Sequence, residues 1–305
     1  MAHENVVVVG VDGTPASQAA LEWGFNQAKA RGAELRLVCV YELPSYAAHS
    51  LALGVPDIVA EGKLLYESAE KMILDLVGKY QNKGVNVTWS LLQGDPSEEM
   101  VELSKTVALL VVGGRENWRG RIADRILRTV SSALPAYSHC PTVVVPQDSY
   151  RDDLPIRRVV VGVDGSEAAK TALQRAVWEA DRHHATLDIV SSVNVDAVSW
   201  VPQFSLSKEF FDDVYLGIKN QLAEVDEGRD IKTSITVTQG NPITTLIKFS
   251  EDADLLVLGT RGRGGFAGLL LGSTSQSVLE QAKCPVFIVP KRVGRADDEG
   301  PKKEA

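Results

Sequence analysis

The 305-residue sequence has few cysteines and no long apolar run. Its three cysteines, Cys39, Cys140 and Cys284, are too few and too scattered for a disulfide framework, and no CxxC pair indicates a zinc site. This usage is typical of a reducing compartment. The run from Val6 to Val11 is too short to cross a bilayer, and the first residues lack the positive flank of a signal peptide. We therefore expect a soluble cytoplasmic protein with no membrane partner.

Basic residues are in the minority. Lys and Arg total 32 against 40 Asp and Glu, which gives a formal net charge of -8. An acidic balance disfavours non-specific binding to nucleic acid or to anionic membranes. The 44% of hydrophobic and 24% of charged residues are ordinary for a globular protein. At roughly 100–200 residues per domain, the length predicts two domains.

The sequence contains one long internal repeat. VVVGVDGT from Val7 returns as VVVGVDGS from Val159, and CPTVVVP from Cys140 returns as CPVFIVP from Cys284. Between these two motifs, QGDP and LLVVG of the first half return in the same order as QGNP and LLVLG of the second half. One domain is therefore present twice in tandem, a longer period than solenoid repeats show. The predicted parts are domain 1 (1–147), a linker (148–156), domain 2 (157–291) and a tail (292–305) that we expect to be disordered.

Short apolar runs alternate with helical patterns in each repeat. The strands predicted in domain 2 are Arg158–Val163, Leu187–Val193, Thr233–Thr238, Asp254–Leu258 and Pro285–Val289. Continuous apolar strands are typical of a sheet covered on both faces. Strands separated by helices predict an α/β fold, here two tandem doubly wound, Rossmann-like domains, each with a five-stranded parallel sheet. Ligands of such folds bind beyond the carboxyl ends of the strands.

The first strand of domain 2 leads into a turn with two interpretations. An ionised Asp164 can accept two hydrogen bonds from a sugar diol. Alternatively, Asp164 or Ser166 caps the helix that follows, which is the commoner role at a strand-to-helix turn. The recurrence of this turn at Asp12 does not separate the two, because a duplicated cap would look the same.

The fourth strand of domain 2 leads into a glycine-rich segment, residues 259–275, that ends in GSTS before a helix. Glycines let the backbone approach a ligand, and a helix start supplies N–H groups that favour phosphate. The segment also holds hydroxyl and guanidinium donors, namely Ser273, Thr274, Ser275, Arg261 and Arg263. A flexible surface loop with a Ser/Thr cap fits the composition equally well. No lysine follows the glycines, so the P-loop pattern GxxxxGK[ST] is absent.

The glycine spacing of this segment resembles the nucleotide signature of the universal stress protein family. That signature, G-x2-G-x9-G-[ST], is carried here by Gly259, Gly262, Gly272 and Ser273. Together with VGVDGS and CPVFIVP, the resemblance covers both halves of the chain except the linker and the tail. It implies a five-stranded parallel fold, similar to the adenine nucleotide alpha hydrolases, that binds ATP or another adenine nucleotide, with Mg²⁺ as the accompanying ion.

The resemblance also implies which residues of domain 2 meet the nucleotide. Asp164 would hold the ribose, and the backbone around Ser192 and Val193 would meet adenine. The glycines and their neighbours would enclose the phosphates. The implied contacts are Gly162, Val163, Asp164, Val193, Gly259, Thr260, Arg261, Gly262, Arg263, Gly272, Ser273, Thr274 and Ser275.

Domain 1 departs from this pattern. Glu116 stands where domain 2 has Gly262, and Arg128-Thr129 stands where it has Gly272-Ser273. An acid facing the phosphates is repulsive, and a lost glycine adds a Cβ at the point of approach. We expect domain 1 to bind weakly or not at all, although its arginines could attract another anion; a solvated basic face is the favoured alternative. The residues of this weaker site are Gly10, Asp12, Val40, Gly113, Arg115, Arg128 and Thr129.

The last strands of the two domains, Thr142–Val145 and Val286–Val289, are apolar and should lie at sheet edges, where they need a partner. The resemblance implies pairing of these strands across a two-fold axis. The tandem chain can satisfy this pairing internally as a pseudo-dimer, and two chains could associate again as a homodimer. His183 and His184 fall near the end of a helix, where histidine suits the helix dipole, and this interpretation is favoured over a metal role.

We expect a nucleotide-dependent regulatory or stress-response protein that acts through its conformation and through protein partners, not an enzyme. The alternative is a slow ATPase or a phosphoryl-transfer enzyme, which needs a positioned base and metal-holding residues. Around the loop, Asp164 is the only candidate for either role. A ligand-free scaffold is a third hypothesis, and the intact loop of domain 2 argues against it.

Overall fold

The structure, a computed structural model, describes residues 4–42, 56–114, 130–149, 155–194, 206–262 and 270–290. Four predicted site residues, Arg115, Arg128, Thr129 and Arg263, lie outside these ranges, as do Glu116, the tail and part of the linker. Within the described ranges, no helix is long and apolar enough to span a membrane.

Domain 1 alternates strands and helices. Its strands are β1 (Glu4–Gly10), β2 (Glu34–Tyr41), β3 (Val87–Gln93), β4 (Val107–Gly113) and β5 (Thr142–Val145). Its helices are α1 (Pro15–Arg31), α2 (Pro56–Tyr80), α3 (Pro96–Leu103) and α4 (Val130–Tyr137). A short 3-10 turn, Gln147–Ser149, follows β5.

Domain 2 repeats this order. Its strands are β6 (Arg158–Gly162), β7 (Thr186–Val193), β8 (Thr233–Gln239), β9 (Leu255–Gly259) and β10 (Val286–Val289). Its helices are α5 (Glu167–His183), α6 (Lys208–Val225), α7 (Pro242–Ser250) and α8 (Ser273–Gln281). The five predicted strands are found within one residue at each end, and the predicted α/β architecture is confirmed.

The first helix of each domain begins at a hydroxyl cap. The side chain of Thr14 accepts from the N–H of Ser17, and that of Ser166 accepts from the N–H of Ala169, each at 3.2 Å. Each cap satisfies an N–H group that has no partner inside the helix. The same turn therefore starts the helix in both domains, and the turn between strand and helix is held in one conformation.

The ten strands form one sheet in the order β3-β2-β1-β4-β5-β10-β9-β6-β7-β8. Pairing is parallel within each domain, and the two domains meet where β5 and β10 pair antiparallel, with Val143 opposite Phe287. The two terminal strands thus pair with each other within one chain, as predicted from the need of apolar edge strands for a partner. Because these two strands run in opposite directions, the carboxyl ends of the domain 1 strands and of the domain 2 strands lie at opposite edges of the sheet.

A buried ionic cluster joins helices α1 and α5 across the two domains. Oε1 of Glu179, which is fully buried, accepts from Arg31 at 2.7 Å and from Arg182 at 2.9 Å, and Arg175 lies 3.8 Å away. Burial opposes ionisation of this carboxyl group, but the three arginines hold the pKa of Glu179 well below its ordinary value. A single carboxylate therefore organises three guanidinium groups, one of them from the other domain.

His183 belongs to the same cluster. Its Nε2 lies 3.2 Å from Nε2 of Gln27 in domain 1. Burial lowers the pKa of His183 to about 4, and the attraction of Glu179 only partly offsets burial and the repulsion by Arg31 and Arg182. The helix dipole, which favours a charged histidine, is the weaker effect at this position.

This depressed pKa predicts a loss of stability in mild acid. In the unfolded chain His183 regains a pKa near 6.5, against about 4 in the fold. The unfolded state therefore binds the proton first, and the free energy of unfolding should fall as the pH decreases from about 6.5 towards 4. Urea unfolding at several pH values, for wild type and for His183→Gln, measures this slope. Equal slopes for the two proteins would assign the acid sensitivity to other groups.

Candidate functional site

A cavity of about 760 Å³ opens at the carboxyl edge of domain 2. It lies over the ends of β6, β7 and β9. In the sheet, β7 and β8 lie on one side of β6 and β9 and β10 lie on the other, so the strand order reverses beside β6. Such a switch point is where open α/β sheets bind ligands, and the volume is within the usual range of small-molecule sites. Of the predicted site residues, the cavity brings together Gly162, Val163, Asp164, Val193, Gly259, Arg261, Gly262, Gly272, Ser273, Thr274 and Ser275.

The turn after β6 resolves the two roles left open for its polar residues. Ser166 is the helix cap, and Oδ1 of Asp164 accepts from the N–H of Ser166 at 3.0 Å. The other oxygen, Oδ2, faces Gly262 so closely that a Cβ on this glycine would lie 2.2 Å from it. One carboxylate oxygen of Asp164 therefore holds the turn, and the other is directed at the loop that follows β9.

The glycines at the ends of β9 and β4 have a packing role that the sequence argument missed. A Cβ on Gly259 would lie 2.7 Å from the carbonyl oxygen of Ala168, and one on Gly113 would lie 2.5 Å from that of Ala16. In each domain the first helix thus packs directly on the end of the fourth strand. This requirement explains why the glycine recurs in domain 1, where the rest of the signature does not.

Helix α8 presents its N-terminus to the cavity. Its N-cap is Gly272, which has no side chain to cap the first turn and whose N–H donates to the carbonyl of Thr260 at 2.7 Å. Ser275 is buried and donates to the carbonyl of Gly259 at 2.8 Å, so its hydroxyl fastens the helix to β9. Thr260 is buried and does not line the cavity. Ser273 and Thr274 are the hydroxyl residues of this turn that remain accessible.

One wall of the cavity comes from helix α6, which sequence reasoning did not include in the site. Its lining residues are Phe210, Val214, Gly217, Ile218 and Gln221. Their spacing of three and four residues marks one face of a helix, a signal that is present in the sequence. That signal does not tell whether the face meets the core or a ligand, and only the position of α6 against β8 and beside the cavity separates the two.

The described lining residues include one carboxylate, Asp164, and one guanidinium, Arg261, but no histidine, cysteine or lysine. Searched over the described ranges, the chain has no group of three His, Cys, Asp or Glu residues that could hold a metal. Cys284 is buried, and burial raises the pKa of its thiol to about 12. The described lining therefore offers a carboxylate, a guanidinium, hydroxyl groups, a helix N-terminus and apolar surface.

Of the residues predicted for the weaker site of domain 1, the structure describes Gly10, Asp12, Val40 and Gly113. The described cavity of this domain, about 480 Å³, lies between α1 and α2, and Gly10, Asp12, Val40 and Gly113 do not line it. Oδ1 of Asp12 accepts from both the N–H and the hydroxyl of Thr14, at 3.0 and 2.6 Å.

The end of β2 differs as well. The residue of β2 that corresponds in strand position to Val193 is Tyr41. Its ring packs edge-on against that of Tyr66, with 6.1 Å between the ring centroids. Two aromatic rings thus stand in domain 1 where domain 2 has a valine beside its cavity.

Comparison with known proteins identifies the chain. The universal stress protein family matches residues 5–146 and 155–290. Universal stress protein Rv2623 of Mycobacterium tuberculosis is 31% identical over 296 residues, which covers 92% of this chain and 95% of that protein. Universal stress protein Rv2005c of the same species is 32% identical over 290 residues, with coverage of 92% and 96%.

A solved structure shares the fold over the full length. The crystal structure of a universal stress protein from Archaeoglobus fulgidus superimposes with a TM-score of 0.68 at 22% identity and covers 97% of this chain and 98% of that one. The resemblance inferred from the glycine spacing is thereby confirmed. The chain belongs to the universal stress protein family and carries two tandem copies of the family's domain.

Proposed function

We propose that domain 2 binds ATP or a closely related adenine nucleotide, and that the bound nucleotide stabilises a conformation which protein partners recognise during stress. The observation that carries this proposal is the domain 2 cavity, which joins a carboxylate, an apolar wall and a helix N-terminus in one crevice. A nucleotide needs these three environments, one each for ribose, base and phosphates.

The base and the ribose fit the inner part of the crevice. Val193 at the end of β7 and Phe210 and Val214 on α6 supply apolar surface for a planar base. Asp164 lies at the end of the neighbouring strand, where its carboxylate can accept from a ribose hydroxyl. Ser192, whose hydroxyl donates to the carbonyl of Gly240 at 2.8 Å, fixes the backbone beside the base.

The phosphates fit the turn before α8. The N–H groups at the start of a helix and the positive end of its dipole favour a multiply charged anion. Ser273 and Thr274 add hydroxyl donors, and Arg261 adds positive charge. A magnesium ion would be held mainly by the phosphate oxygens, as is usual for this ion.

The composition of the crevice favours binding over turnover. Phosphoryl transfer needs a group that orients the attacking water and residues that hold metal ions. Among the described lining residues Asp164 is the candidate for both roles, and one of its oxygens already holds the turn. We therefore propose a regulatory nucleotide-binding protein and predict at most slow ATP hydrolysis.

Calorimetric titration with ATP and with ADP tests this proposal. We expect about one nucleotide per chain, and mass spectrometry of the denatured protein should identify a co-purifying adenine nucleotide. Asp164→Asn keeps the acceptor that holds the turn but removes the charge, so it should weaken ATP binding at least about tenfold, as for a lost hydrogen bond to a charged group.

The matched control is Asp12→Asn in domain 1, which should leave the affinity unchanged. Absence of binding at millimolar nucleotide would refute the proposal, and two equivalent sites would refute the assignment to domain 2. Steady-state release of ADP at about 1–10³ per second would show that the protein is an enzyme.

A further inference from the structure

Helices α2 and α6 occupy equivalent places in the two domains, and their buried faces are in the same register. Each contributes buried or half-buried apolar residues with identical spacing, namely Ile73, Val77 and Tyr80 on α2 and Ile218, Leu222 and Val225 on α6. This register places Met72 of domain 1 at the position that Gly217 has in domain 2.

Domain 2 leaves this position open. Gly217 lines the cavity, and a Cβ built on it would have no other atom within 4 Å. Glycine is unfavourable in a helix interior. Here its lack of a side chain widens the crevice opposite Gly165, in the turn that carries Asp164.

Domain 1 fills the same position. The sulfur of Met72 lies 3.0 Å from where a Cβ on Gly13 would be. Gly13 and Gly165 are the equivalent glycines of the two turns and share a left-handed conformation, with φ of 78° and 77°. In domain 1 the thioether therefore packs against this turn, whereas in domain 2 the space beside Gly217 is open.

The two cavities differ accordingly. The domain 2 cavity runs from α6 across three strand ends to the start of α8. The described cavity of domain 1 is lined by Met72, reaches the turn at Gly13 and Thr14, and includes no strand residue. Met72 thus lies between helix α2 and the turn at Gly13.

We propose that Gly217 determines which domain accepts the nucleoside part of the ligand. Its missing side chain keeps the domain 2 crevice open to the base and ribose, and Met72 closes the equivalent crevice of domain 1. This inference rests on the proposed nucleotide binding of domain 2. It adds a determinant on a helix outside the glycine signature, so the phosphate loop is not the sole reason for the difference between the domains.

The test transfers the methionine to domain 2. Gly217→Met should lower the affinity for ATP and for adenosine at least about 30-fold, because the side chain enters the space of the nucleoside. Inorganic tripolyphosphate, which needs only the phosphate end, should bind within about threefold of its wild-type affinity. Gly217→Ala should bind all three compounds nearly as wild type does, since its Cβ enters open space.

Gly78→Met is the matched control, because Gly78 is an exposed glycine of α2 whose Cβ would also meet no atom within 4 Å. It should leave all affinities unchanged. Unaltered ATP and adenosine binding by Gly217→Met would overturn the inference while leaving the proposed function intact. Loss of tripolyphosphate along with adenosine would also overturn it, since the effect would not be confined to the nucleoside. A wild-type protein that binds none of the three compounds would instead refute the proposed function, and the inference with it.

Discussion

Replacing Gly272 by glutamate is expected to lower the affinity of domain 2 for ATP at least about 100-fold, which corresponds to about 2.7 kcal/mol. Gly272 is the N-cap of α8, with φ of -74° and ψ of 154°, a conformation open to any residue. A Cβ there would lie 3.5 Å from the carbonyl oxygen of Thr260 and 3.8 Å from the N of Gly262, both ordinary contacts. The side chain can therefore be accommodated, and its carboxylate takes the place of a phosphate at the helix N-terminus.

This variant separates binding from folding. An acidic group near a helix N-terminus stabilises the helix, so the Tm of Gly272→Glu should not fall. Gly272→Ser is the matched control, because serine is a preferred, uncharged N-cap residue that should keep most of the affinity. Calorimetric titration of both variants with ATP, together with their melting temperatures, measures the effect. An unchanged Kd for Gly272→Glu would mean that the phosphates bind elsewhere.

The second large effect concerns Glu179 and the stability of the molecule. Glu179→Ala leaves Arg31, Arg175 and Arg182 close together with no carboxylate between them. Removing one partner from a buried ionic cluster typically costs about 3–5 kcal/mol, because the remaining charges stay desolvated. Since Arg31 comes from domain 1, the variant should also loosen the contact between α1 and α5. Urea unfolding followed by circular dichroism should show a much earlier transition, or two separate ones.

Glu224 provides the comparison for this measurement. It pairs with Lys170 between α6 and α5 of the same domain, but both side chains are exposed, with 59% and 37% of their surface accessible. Exposed ion pairs contribute about 0–1 kcal/mol, so Glu224→Ala should have little effect. If the two variants unfolded at the same urea concentration, the cluster around Glu179 would have no special part in stability.

The repeated strands and their caps could be predicted from the sequence because these features are local. The apolar run from Val159 and the hydroxyl of Ser166 contain what the strand and the helix start require within a few residues. The pairing of β5 with β10 is a longer-range feature, and it follows from the need of two apolar edge strands for a partner.

The site itself was only partly predictable. The glycine spacing identifies the loop, and most of the predicted residues that the structure describes do line one cavity. The contact of Met72 with Gly13 joins residues far apart in the chain, and no local pattern reveals it. Ser275 was counted among the ligand donors, but its hydroxyl is engaged by the carbonyl of Gly259, a partner visible only in the folded molecule.

The ionic cluster illustrates the same limit. Arg31 and Glu179 lie in different domains, and nothing in either helix sequence shows that they meet. The sequence shows His183 at a favourable helix end, but it does not show that the side chain is buried or that Arg31 of domain 1 lies near it. Burial, followed by the repulsion of Arg31 and Arg182, outweighs the helix dipole at this position.

The antiparallel join of β5 and β10 has a consequence for how other molecules approach this chain. The crevice of domain 2 and its domain 1 counterpart open towards opposite poles, about 20 Å apart for strands of five to seven residues at roughly 3.3 Å each. A compact protein bound over the strand ends at one pole does not contact the strand ends at the other pole unless it extends around the sheet. Under the proposed function, a protein bound at the domain 1 pole would therefore leave the domain 2 crevice accessible to its nucleotide.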